Sequence, residues 1–524
     1  MRKLAATALV AMSVLASDPA AATWYRASSE HFLIYSEQKP RALLEFAEDL
    51  EKFDGAVRVL RGMEDLPVSQ GNRITIFTLP TAAEVQRLYG DKSGFIDGFY
   101  KGSAAGSVAY VARGDRPPGS RRKIAQITFE SLTAGTDGET ILLHEYSHHL
   151  MMQDLAVPYP EWLVEGFAEF MATAQFEKDG TVGIGLPDAQ RYYGLVNGKQ
   201  LPLETLLSGK YDKITQEEHE SIYGRGWLLT HYLTFEPSRK GQLHNYLLTL
   251  AKGVEPLQAA RDNFGDLKQL ERDLGRYMLR TRMQYLKVSG SALNFAPIQI
   301  SEVSAGGAAV IPLLAEIKNG ISENGAEAMA QKVRAVERLH PGDELVETTL
   351  AQAELDAKHF DAAEAAADRA TKMNARNTDA MVIKGQSIME RAAPASGNAR
   401  QDLFEQARNT FIAANKIDAE DPEPLADYYE AYVREGRQPT DNAIAALHYA
   451  SDLAPQDLNL RMNSALAYLA ENKARDARQA LIPIAFDPHG GDFAKIARAM
   501  MERIDAGDPK GAIAAVAASD SKSP

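Results

Sequence analysis

The 524-residue chain contains no cysteine. That excludes a disulfide scaffold, and with it the lipid-bearing cysteine that anchors a bacterial lipoprotein. Long apolar runs are missing too: Leu4 to Ala16 is the length of a signal-peptide core and too short to span a bilayer. There is no basic tract, and a formal net charge of −14 gives no reason to expect nucleic acid or an anionic membrane as partner. The acidic balance reads as solubility.

What is present is ordinary for a soluble globular protein, with 45% apolar and 24% charged residues, and the length calls for about two to four domains. Met1-Arg2-Lys3, the apolar run and the small residues Ala20-Ala21-Ala22 occur in the order of a secretory leader. We therefore expect a signal peptide over 1–22 and an exported product, periplasmic or secreted, with no integral membrane segment in the mature chain.

Segment 23–120 alternates strand and helix patterns. Phe32 to Tyr35 and Ile74 to Phe77 read as strands, and Arg41 to Leu60 places apolar residues at helical spacing. Gly106 to Val111 is a further strand, expected either as an ordinary sheet member or as an exposed edge that pairs with a substrate backbone. Segment 121–286 reads mainly helical, and the glycines and serines of 287–309 suggest a linker.

From Val310 to about residue 515 the chain is alanine-rich and repeats with a 34-residue period, with units starting at Val310, Glu344, Thr378, near Pro424 and at Leu458. Small residues such as Gly385 let neighbouring helices approach, so about five helical hairpins should stack as a solenoid. Residues 392–399 interrupt the third unit, and 516–524 is expected to be a disordered tail.

One stretch carries chemistry. His144-Glu145-Tyr146-Ser147-His148 has the H-E-x-x-H spacing of zinc hydrolases, which on a helix puts both imidazoles on one face, one turn apart. Further on, Trp162 to Glu169 reads Trp-Leu-Val-Glu-Gly-Phe-Ala-Glu and offers Glu165, with sixteen residues between it and His148, as the third ligand that a catalytic zinc needs. Gly166 beside it permits close helix packing. Glu169, one turn on, is placed to accept a hydrogen bond from a ligand imidazole. Glu145 is the natural general base, taking a proton from water acidified by the zinc ion and delivering it to the leaving amine. His149, turned about 100° from the ligand face, and His231 read as structural.

On these motifs, residues 121 to about 250 resemble a gluzincin catalytic domain, closest to the peptidase-MA-like domains of exported bacterial proteins, often found beside tetratricopeptide repeats. The resemblance implies an α+β zincin-like metallopeptidase followed by an all-α tetratricopeptide-like solenoid. It implies one catalytic zinc on His144, His148 and Glu165, with Glu145 as base. Tyr223, in Tyr223-Gly224-Arg225-Gly226, corresponds to the tyrosine that stabilises the oxyanion in the aminopeptidase branch and is expected to open a helix running to Phe235. The Gly-x-Met-Glu-Asn segment of that branch is missing, so its specificity for free amino termini does not carry over. The expected partners are a peptide or protein substrate and a protein held by the repeats. The alternative is a non-catalytic interaction protein that uses the solenoid and keeps the zincin domain as a structural or inactive module.

Overall fold

The computed structural model describes residues 23–65, 68–90, 97–113, 137–153, 159–211, 214–280, 282–487 and 490–520. The expected signal peptide lies outside them. Within them, period-two alternation sorts each central strand into two faces. Strands β1 (Tyr25–Ser28), β2 (Phe32–Ser36), β3 (Ile74–Leu79), β4 (Gly98–Lys101), β5 (Val108–Ala112) and β9 (Gln299–Glu302) form one sheet in the order β4-β5-β3-β2-β1-β9. The β2–β3 and β3–β5 pairs are parallel and the others antiparallel.

Phe32, Ile34, Ile74, Ile76, Ala109 and Val111 point to one face, where they meet the helix Pro40–Arg61 and the motif helix Gly138–Gln153. In the first of these helices Leu43, Phe46, Ala47, Leu50, Phe53 and Val57 repeat at three- and four-residue steps and are all buried. Pro40 opens that helix and Gly62, in the left-handed conformation, ends it. The opposite face carries a ladder of rings, Tyr35–Phe77–Tyr110–Phe99, with centroids 5.6, 5.6 and 4.6 Å apart across β2, β3, β5 and β4. A second, three-stranded antiparallel sheet joins Gln175–Phe176 (β6), Val182–Ile184 (β7) and Leu286–Val288 (β8).

Three expectations about the architecture change. Val108–Ala112 is not an exposed edge, because β4 pairs with it on one side and β3 on the other; among the described residues the outermost strand at that end of the sheet is β4. Strand β4 is four residues long, too short for its alternation to stand out in sequence. The expected linker 287–309 is tied into both sheets, through Val288 of β8 and through β9, and it ends inside the helix Ala305–Asn319. Gly306 and Gly307, read as loosening the chain, sit in the first turn of that helix, where the Ser304 side chain accepts from the Gly307 amide. Ile311 and Ala315 of the same helix cover the ring ladder, and the Tyr110 hydroxyl donates to the Ala315 carbonyl at 2.8 Å. The first repeat helix is thus part of the sheet's core.

Among the described residues the repeats form six hairpins where about five were expected: Ala305–Asn319 with Glu323–Leu339, Glu344–Asp356 with Phe360–Met373, Thr378–Ala392 with Gly397–Ile417, Pro422–Glu435 with Asp441–Leu453, Leu458–Ala470 with Ala474–Ala485, and Gly491–Asp505 with Pro509–Asp520. The last helix runs to Asp520, through part of the segment expected to be a disordered tail; residues 521–524 lie outside the described chain. The interruption after Ala392 is absorbed by a 21-residue helix, Gly397–Ile417. A Cβ on Gly385 would lie 2.4 Å from Cε1 of Phe411, so the Thr378–Ala392 helix can seat that ring only with a glycine there. Further along, the repeats return to the sheet: the Asn72 side-chain amide donates to the Leu453 carbonyl at 2.7 Å, and the Ala104 amide to Asp457 Oδ2 at 2.9 Å. Among the described residues no helix is long and apolar enough to cross a membrane.

Candidate metal centre

Helical spacing turns His144 and His148 to one face of the motif helix, with their Nε2 atoms 3.0 Å apart. The chain comes back as the helix Glu161–Ala172, whose Pro160 N-cap is in extended conformation. It brings Glu165 Oε2 to 3.3 Å from His144 Nε2 and 3.5 Å from His148 Nε2. All three residues are buried.

What sets the depth of this approach is a crossing of glycines. The helix Glu161–Ala172 packs on the helix Gln216–Phe235, where a Cβ on Gly166 would lie 2.3 Å from the carbonyl carbon of Gly226. One on Gly226 would lie 2.3 Å from the Trp162 carbonyl oxygen. Backbone meets backbone there, and Glu165 is the residue next to the contact.

Glu169 lies on the other side of the His144 ring, with Oε1 3.3 Å from Nδ1. Sequence reasoning missed what holds Glu169: Arg191 donates to the same oxygen from Nε at 3.0 Å and lies 2.9 Å away at its Nη2. Nothing in the residues around Arg191 marks it for this place. Its guanidinium also lies over the Tyr223 ring at 4.6 Å, and that ring is 6.1 Å from the His144 imidazole. Tyr223 does not open its helix but sits two turns inside it, since Thr215 and Glu218 form the capping box that starts it. The Thr-x-x-Glu signal for that start was readable in the sequence. Glu145, one residue beyond His144, is half-buried.

The electrostatics follow from burial against these partners. Burial opposes charge on His144, yet hydrogen bonds to Glu165 and Glu169 outweigh it and raise the imidazole to about 10. Burial would raise Glu165, but the His148 charge and hydrogen bonds from both imidazoles hold it well below the usual carboxylate range. Glu169 is buried as well, and the Arg191 charge with the His144 contact brings it down to about 2. Burial, reinforced by the Glu165 charge, pushes the Tyr223 phenol up, so it keeps its proton. The group as a whole is built to hold positive charge.

His149 and His231 serve the frame. His149 Nδ1 is 2.9 Å from the Tyr100 hydroxyl, and burial, with the charges of Arg58 and His31, lowers it to about 3. His231 lies between the Tyr277 hydroxyl and the Gln284 carbonyl, 2.9 Å from each, and burial lowers it to about 4.

The donor set fits zinc. A tetrahedron with bonds of about 2.0–2.2 Å has edges of about 3.3–3.6 Å, and the three donor separations of 3.0, 3.3 and 3.5 Å lie at or near that range. Two imidazoles and one carboxylate are ligands that zinc accepts while keeping a fourth position open. Next to His148, a small cavity is walled by Met151, Met152, Tyr159 and Val164, and also by Pro483 and Phe486 from the end of the fifth hairpin.

No protein-family model matches the chain, and neither does any curated protein. Among solved structures it is similar to a thermophilic TPR protein in Thermus thermophilus, at 16% identity over 34% of this chain and 90% of that one, with a TM-score of 0.30.

Proposed function

We propose that the chain is an exported zinc-dependent metallopeptidase, with a tetratricopeptide-like repeat domain that holds a partner or substrate. The observation that carries this reading is the convergence of His144, His148 and Glu165 from two helices, with their donor atoms within 4.8 Å of one another, the helix of Glu165 being seated by its glycine crossing on Gln216–Phe235.

These three residues would hold the zinc, which when bound supplies a Lewis acid that polarises the scissile carbonyl and acidifies water. Around it the chain supplies the rest. Glu169, anchored by Arg191, fixes the His144 ring through Nδ1 and so presents Nε2 toward Glu165. The Glu145 carboxylate takes a proton as water oxygen bonds to the carbonyl carbon, then gives it to the amide nitrogen as the C–N bond breaks. The Tyr223 hydroxyl, kept protonated by its surroundings, donates to the oxygen on which charge develops.

Proteome-derived peptides incubated with wild type and with Glu145→Gln test the reading. The wild type should cleave and the variant should not, with equal zinc content. Equal cleavage by both, or no stoichiometric zinc in the wild type, would refute it.

The second reading, an interaction protein with a silent zincin domain, is favoured by one observation. Between the ring-ladder face of the sheet and the repeat helices lie two cavities of about 730 and 800 Å³, lined by Leu33, Tyr35, Leu345, Thr348 and Asp379 in common. A chamber of that size suits an extended protein segment. Pull-down with the full chain should recover one partner that Asp379→Arg loses; recovery of none would remove this reading.

A further inference from the structure

A second set of ligand-type side chains lies behind the motif helix. His31, in the turn before β2, is 4% exposed. Its Nδ1 lies 2.7 Å from Glu51 Oε2, and its backbone amide donates to Glu51 Oε1 at 3.0 Å. Its Nε2 faces the opposite way, is buried and makes no hydrogen bond. That nitrogen lies 3.4 Å from Asp65 Oδ1 and 3.7 Å from Asp54 Oδ2. One donor atom from each of the three residues falls within 4.8 Å of the other two.

A carboxylate on Nδ1 selects the tautomer whose Nε2 carries a lone pair, which is how ligand histidines are oriented in metal sites. Charge points the same way. Glu51, Asp54 and Asp65 bring three negative charges, and Arg58, 2.7 Å from Asp54 Oδ2 and 3.6 Å from Asp65 Oδ1, returns one. Burial opposes charge on the imidazole, but Glu51 and Asp54 raise it to about 8 while no ion is bound; an entering ion takes the place of the Nε2 proton and leaves the group two negative charges, which one divalent ion balances. Asp65 is 43% exposed and opens the group to solvent, giving an ion its way in.

We propose that His31, Asp54 and Asp65 form a second divalent-metal site, separate from the candidate catalytic centre. One nitrogen and two carboxylate oxygens suit Zn²⁺ or Mn²⁺. Its work is bracing. Asp54 Oδ1 accepts from the Tyr146 hydroxyl at 2.6 Å, so an ion here ties the start of β2 and the end of the first helix to the helix that carries His144 and His148.

The test uses the full chain, stripped with chelator and reloaded separately with Zn²⁺ and Mn²⁺, with bound metal counted by mass spectrometry. His144→Ala/His148→Ala protein should retain one ion per chain, and adding Asp65→Ala should remove it along with the ion-induced rise in melting temperature. Asp65→Ala alone, a change at a half-exposed loop residue, should cost the otherwise wild-type chain one ion. No ion in the His144→Ala/His148→Ala protein, or an ion that stays when Asp65→Ala is added to that protein, overturns the proposal. The catalytic reading fails separately: it does so if wild type and the His144→Ala/His148→Ala protein bind the same number of ions.

Discussion

Replacing Gly166 by alanine should damage the metal centre without touching a ligand. The added methyl carbon would lie 2.3 Å from the Gly226 carbonyl carbon and 2.4 Å from its oxygen. Carbon atoms in contact need roughly 3.5–4.0 Å, so the two helices must part by about 1.2 Å or more at the crossing. Backbone on both sides leaves no flexible side chain to yield. Such overpacking costs about 1–3 kcal/mol, while alanine's better helix propensity returns about 1 kcal/mol, for a net loss of about 0–2 kcal/mol. The larger effect falls on binding. Metal-ligand distances tolerate about 0.2 Å, and Glu165, next to the crossing, would move several times that. Zinc affinity, measured by competition with a chromophoric chelator, should fall by at least about tenfold, as much as or more than losing an outer hydrogen-bond partner costs. Gly226→Ala should do the same from the other helix. If both variants keep wild-type affinity and melting temperature, the crossing does not set the position of Glu165 and the reasoning is wrong.

Other outcomes follow from the same contacts. Arg191→Met should leave Glu169 buried without its cation and loosen His144, lowering zinc affinity by about 10–100-fold in the same competition assay while the circular dichroism spectrum stays unchanged. Asp421 is 3% exposed, and burial, aided by the charges of Glu423 and Asp379, raises it from 3.8 to about 8. Its neutral form is the one that fits the fold, so the stability it contributes is complete below about pH 4 and is lost as pH rises through about 8. Asp421→Asn keeps the helix cap on the Glu423 amide and should flatten that part of the denaturant-midpoint profile across pH 5–9. Phe486→Ala should enlarge the cavity beside His148 and shift peptide cleavage toward bulkier apolar side chains, read by mass spectrometry of the products, with zinc content unchanged.

Much of this was legible along the chain because it is local. Four residues of helix turn about 400°, so H-E-x-x-H alone placed His144 and His148 on one face. The repeat period placed helix starts at Glu344, Thr378 and Leu458, where the structure has them. The glycine beside Glu165 announced a close approach, though not its partner, Gly226, 60 residues further on. Strand β4 escaped because four residues carry too little periodicity, and the 287–309 segment misled because glycine at a helix start looks like glycine in a linker.

By itself the sequence determined what short-range stereochemistry determines: the ligand types and their helical register, the strand faces and the repeat. Tertiary structure alone decided that Glu165 meets the two imidazoles, that Arg191 anchors Glu169 from another helix, that the first repeat helix seals the sheet, and that His31 faces Asp54 and Asp65. Each of those depends on where the chain turns back on itself. No local periodicity encodes such a reversal; it is set by which apolar faces bury one another and by how closely two backbones can pass.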